Sequence, residues 1–123
     1  MMKEMLLVGL GGGAGSILRY LGAVYAGKMF HTDFPAGTFF VNVLGCFIIG
    51  LLTGLIEHQH LLSVNHRLLF ITGFCGGFTT FSAFSAESLR LFESGNSLVG
   101  MLYIAVSVLV GVLAVWLGIW LLK

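Results

Sequence analysis

Phe81 and Phe84 stand three residues apart within GFCGGFTTFSAFS, Gly73 to Ser85, and Ser82 and Ser85 repeat that spacing one residue on. On a helix this stacks the two rings on one face and the two hydroxyls on the next. An aromatic ring is negative over its face and positive at its edge. Two ring edges turned inward would touch an anion where a fixed cation would trap it. Asn42 adds an amide donor, and Tyr103 and Ser107, four residues apart, add two hydroxyls on one helix face. A small, hard, strongly hydrated anion would gain most from such a set. The plainer alternative has the rings in the core or facing lipid, with Asn42, Tyr103 and Ser107 joining helices. For the rings, spacing alone favours the plainer reading.

Other chemistries find little support. His31, His58, His60 and His66 fall between the apolar stretches, and HQH has no second ligand cluster to complete a metal site. Cys46 and Cys75 both lie in apolar segments and read as small buried hydrophobes. Gly9 opens a loose G-x-G-x-x-A, but no strand and crossover surround it. Its glycines read instead as close helix packing, as do Gly45 and Gly50. A net charge of +1 offers nucleic acid no electrostatic footing. Nothing here reads as an enzyme.

These residues must be positioned by membrane helices. Of the 123 residues, 58% are hydrophobic and 9% charged, and the mean hydropathy is +1.03. Such a chain cannot supply a soluble surface, so it reads as a single polytopic membrane domain over 1–123. The N-terminal apolar run continues past signal-peptide length and reads as a span. About 20 apolar residues cross the hydrocarbon. Four stretches qualify, at about 4–28, 36–57, 66–93 and 97–122. Pro35 suits a helix start and Gly95-Asn96 a helix stop. Within the third span, Gly76-Gly77 weakens the helix and Thr79-Thr80 can satisfy freed backbone groups, so a break near its centre is expected. Such a break exposes carbonyls to a cation or a half-helix start to an anion.

Lys3, Arg67 and Lys123 share one membrane face, against Lys28 and Arg90 on the other, with Arg19 inside the first span nearer the second face. So even a balance gives the positive-inside rule little to act on, and insertion in both orientations is as open as one fixed orientation. Four thin helices enclose little interior, which favours a dimer. Arg19 either snorkels to the interface or faces an aqueous vestibule. Glu87 is the one acid well inside a span, and Arg90 three residues on offers it a local ion pair.

Three segments, GGGAGSILRY, GTFFVNVLGCFIIG and GFCGGFTTFSAFS, resemble signatures of the fluoride channel family called Fluc or CrcB. With the length and the four spans, the resemblance covers nearly the whole chain. It implies an all-α, antiparallel, dual-topology homodimer with two pores, passing fluoride passively out of a microbial cytoplasm and rejecting chloride. It implies that Phe81 and Phe84 line the pores with Asn42, that Tyr103 and Ser107 form a polar track, and that Arg19 serves the vestibule. Ser82 is counted with the pore set. The resemblance also implies a sodium ion at the dimer axis, held by the backbone carbonyls of Gly76 and Thr79. Ala83 departs from the family's usual Thr and removes one hydroxyl. The implied partners are fluoride, membrane lipid and a second copy of the chain, in a plasma or inner membrane.

Two other classes stay open. A proton-coupled exporter, like the small multidrug transporters, would need a titratable group on its path, and only Glu87 is available. A structural membrane subunit would leave the polar positions replaceable.

Overall fold

Hydrocarbon offers no hydrogen-bond partner to the backbone, so an apolar chain crosses it as helix. The computed structural model describes residues 1–123. It holds four helical segments long and apolar enough to span a membrane. Helix α1 is Met2–Met29 and α2 is Ala36–Glu57. The third span, Val64–Glu93, is composite: α3 (Val64–His66), a π-helical stretch Arg67–Cys75, α4 (Gly76–Phe78) and α5 (Phe81–Glu93). Helix α6 is Ser97–Leu121. The tight turn before α6 uses Gly95 at φ +87°, a conformation that suits glycine.

The break expected in the third span is present at Thr79-Thr80, whose backbones are both extended. Two local bonds shape it. Thr79 Oγ1 donates back to the Cys75 carbonyl at 2.8 Å. The Ala83 amide donates to Thr80 Oγ1 at 3.1 Å, so Thr80 is the N-cap of α5. Before the break the third span lies along α1, and after it α5 lies along α6, while α2 packs chiefly on α6.

Glycines set these approaches. A Cβ on Gly15 would stand 2.8 Å from the Phe78 amide nitrogen, and one on Gly77 would stand 2.9 Å from the Gly12 Cα. On the other seam, a Cβ on Gly50 would stand 3.0 Å from the Gly118 Cα. Backbones this close gain dispersion contacts that lipid chains cannot match, which is how small residues drive helix association in a membrane. Outward faces carry large apolar side chains such as Ile17, Leu109 and Trp116.

Gly77→Ala should therefore force α1 and the third span apart and cost about 1–3 kcal/mol, the usual price of overpacking. Gly13→Ala, whose Cβ would meet nothing within 4 Å, should not destabilise the chain and should add about 0.5–1 kcal/mol through helix propensity. Reversible unfolding of the two variants in micelles checks the contrast.

Candidate functional site

Beside the break lies a cavity of about 290 Å³, lined by Asn42 and Cys46 of α2, Thr79, Thr80, Phe81 and Phe84 of the third span, and Ser107 of α6, among others. It sits near mid-membrane, because Thr79-Thr80 is central in Val64–Glu93. The Phe81 and Phe84 rings are 5.9 Å apart and tilted by 43°. Ser107 Oγ is buried and has no hydrogen-bond partner. A hydroxyl left so costs about 1–3 kcal/mol unless something in the cavity takes its bond.

Asn42 joins the cavity to the break. Thr80 donates its amide to Asn42 Oδ1 at 2.8 Å, and Asn42 Nδ2 donates to the Thr80 carbonyl at 3.0 Å. The amide orientation is fixed by chemistry, since a peptide N–H can only donate and a carbonyl only accept. One Nδ2 proton is thus committed to the fold, and the second is left for the cavity. The same bonds explain which carbonyls are bare. Thr80 and Ala83 donate to side chains, so the Gly76 and Thr79 carbonyls lose the partners that a continuous helix would supply. The Gly77 carbonyl accepts from Arg19 Nε at 2.9 Å. Arg19 is half-buried, and its guanidinium reaches from α1 to the break.

Tyr103 is fully buried, its ring 5.1 Å from that of Phe84 and 5.3 Å, edge to face, from that of Phe34. Its hydroxyl donates to Glu87 Oε2 at 3.0 Å, and Thr38 Oγ1 donates to Glu87 Oε1 at 2.7 Å. Both carboxylate oxygens are held by hydroxyls from other helices. The ion pair expected between Glu87 and Arg90 does not form; the chain's one ion pair joins the N-terminal amine to Glu4. Ser82 lies outside the cavity lining; it is exposed, with Oγ 3.2 Å from Thr80 Oγ1. The structure thus brings together Asn42, Phe81, Phe84 and Ser107 around one space, with Tyr103 packed behind Phe84. Thr38 and the hydroxyl-held Glu87 are additions. Their signal was present: Thr38 is four residues before Asn42, and Glu87 is three after Phe84.

Residues 6–119 match the model of the CrcB-like protein, Camphor Resistance (CrcB) family. The chain belongs to the CrcB-like family. Among its CrcB-like relatives, the fluoride-specific ion channel FluC of Phocaeicola vulgatus is 50% identical over 97% of this chain and 98% of its own length. The protein of that name from Flavobacterium psychrophilum is 46% identical over 96% of this chain and 95% of its own. That from Rhizobium meliloti is 45% identical over 99% and 98%.

In this CrcB-like chain, Asn42→Asp tests the link between break and cavity. A carboxylate accepts from the Thr80 amide but cannot donate to the Thr80 carbonyl. The orphaned carbonyl should cost about 1–3 kcal/mol, read as a lower unfolding midpoint, and ion flux should be lost with it because an ionised acid repels an anion.

Proposed function

We propose that this chain is a fluoride-selective passive channel of a microbial cell membrane, exporting fluoride from the cytoplasm as an antiparallel homodimer with two pores. The reading is carried by the mid-membrane cavity of Asn42, Phe81, Phe84 and Ser107, in a chain whose near full-length relatives are named fluoride-specific channels. In that cavity a fluoride ion shedding its water meets the unpartnered Ser107 hydroxyl, the spare Asn42 proton and the positive edges of Phe81 and Phe84. None of these is a full positive charge, so the ion is held weakly enough to leave. Small radius and high charge density strengthen such short, directional contacts for fluoride, and selectivity over chloride requires that this gain offset fluoride's larger dehydration cost. A membrane potential of 100 mV, negative inside, is worth about 2.3 kcal/mol per charge, or roughly 50-fold in outward concentration ratio.

Three features support the dimer. Phe81 is 79% exposed in the single chain, an odd position for a pore ring unless a second copy covers it. Gly76 presents a bare carbonyl on an exposed surface. Lys and Arg are nearly balanced across the membrane, which suits both orientations. Sodium at the dimer axis fits the same surface. Gly76 and Thr79 from two antiparallel copies would offer four carbonyl oxygens, the ligand type that a hard cation takes.

Liposomes loaded with potassium fluoride should release fluoride on addition of a potassium ionophore, and potassium chloride liposomes should retain chloride; equal release of both would overturn selectivity. Glu87 sits close enough to the path to allow a proton-coupled exporter instead. That reading requires flux to follow an imposed pH gradient at fixed voltage, and the channel reading requires flux to follow voltage.

Phe81→Ile and Phe84→Ile remove the positive ring edge and keep apolar bulk. Edge contacts between aromatic rings are worth about 0.5–1.5 kcal/mol; if the edge contact to the ion is of that order, flux should fall by about two- to tenfold in at least one variant that still elutes as a dimer. Parental flux in both would return the rings to packing. Cysteines placed in 58–63 and labelled from outside should react in about half the copies, as a near-even charge balance requires; labelling of nearly all or nearly none would defeat dual orientation.

A further inference from the structure

A second cavity, of about 420 Å³, lies at the C-terminal end of α5 and is lined by Asp33, Glu87, Arg90, Ser94 and Asn96, among others. A short chain of contacting side chains lies between it and the mid-membrane cavity. Glu87 lines it, Tyr103 bonds Glu87 at 3.0 Å, and the Tyr103 ring packs at 5.1 Å on Phe84, which lines the inner cavity. An anion entering here faces the carboxylates of Glu87 and Asp33. The one cation on the wall is Arg90, exposed, with no carboxylate within 4.0 Å. Its guanidinium is therefore not consumed by a neighbouring acid, and the Glu87 oxygens accept from Thr38 and Tyr103 instead.

We infer that this cavity is a mouth of the pore and that Arg90 is the charge-compensating residue that makes its acid-lined wall passable to small monovalent anions. The inference rests on the channel reading. A cleft dominated by one sign of charge changes the local concentration of a small ion by about 10- to 1,000-fold. With Arg90 present, two carboxylates are opposed by one guanidinium; without it they act unopposed. The effect belongs to the approach of the ion, so it must fade as salt shortens the Debye length from about 30 Å at 0.01 M to about 10 Å at 0.1 M. Arg90 also stands in the last turn of α5, where a cation favours the helix dipole. A role confined to helix stability would lower the amount of folded channel and would not change current per channel with salt.

The test is unitary fluoride current in planar bilayers at low and high ionic strength. Arg90→Gln should lower the current about three- to tenfold near 0.01 M and converge on the parent above about 0.3 M, following the screening length. Arg90→Lys should recover most of the loss. Ser94, on the same wall, gives a test that leaves Arg90 in place: Ser94→Lys should raise and Ser94→Glu lower the low-salt current. If Arg90→Gln matches the parent at low salt, or is reduced equally at both salts, the mouth assignment is wrong. If Arg90→Gln does not fold, absence of any opposite effect in the Ser94 pair overturns it. A parent chain with no fluoride current overturns the channel reading, and this inference with it.

Discussion

A helix that stops and restarts inside hydrocarbon leaves peptide groups with no water to satisfy them. Here the stop is at Thr79-Thr80, and the Asn42 side chain answers it by bonding both polar groups of the Thr80 backbone. Arg19 answers for the Gly77 carbonyl, and the Thr80 hydroxyl caps the restarted helix. The Gly76 and Thr79 carbonyls stay bare, and three side chains thus repair part of what the extended Thr79-Thr80 backbone undoes. Without them the third span would close into a continuous helix or draw in water, and neither would keep a cavity beside the break.

The rest of the site follows from that kink. Its first half stays against α1, where facing glycines bring the backbones together. Its second half is freed to lie on α6, and there the Phe84 ring meets Tyr103 while Glu87 meets the Tyr103 hydroxyl. An unbroken helix directed along α1 would not present Phe84 and Glu87 to α6. The same kink bares the Gly76 and Thr79 carbonyls, so one irregularity both opens the cavity and frees two carbonyl oxygens.

Much of this was legible because it is local. Gly76-Gly77 followed by Thr79-Thr80 announces a break through backbone freedom and hydroxyl compensation, and the glycines of α1 announce close packing. Apolar length alone places four spans. The π-helical stretch Arg67–Cys75 was not legible, since the same apolar pattern serves an α-helix as well. Nor was the partner of Glu87. Arg90 is its neighbour in sequence, but Thr38 and Tyr103 come from two other helices and reach its oxygens first. Asn42 was recognisable as a costly polar group at membrane depth. Its bond to Thr80 joins residues 38 apart, and such pairings are decided by packing.

Asn42 holds the break with one amide proton, and the proposed channel requires the other to meet the ion. Selective 15N labelling of asparagine, with Asn42 distinguished from Asn65 and Asn96, lets both side-chain protons be followed by NMR in micelles. Titration with fluoride should shift the Asn42 proton that does not face Thr80, leave the Thr80-bonded proton nearly still, and show neither change with chloride. If neither Asn42 proton responds to fluoride, or both respond equally to chloride, the dual role of Asn42 is contradicted.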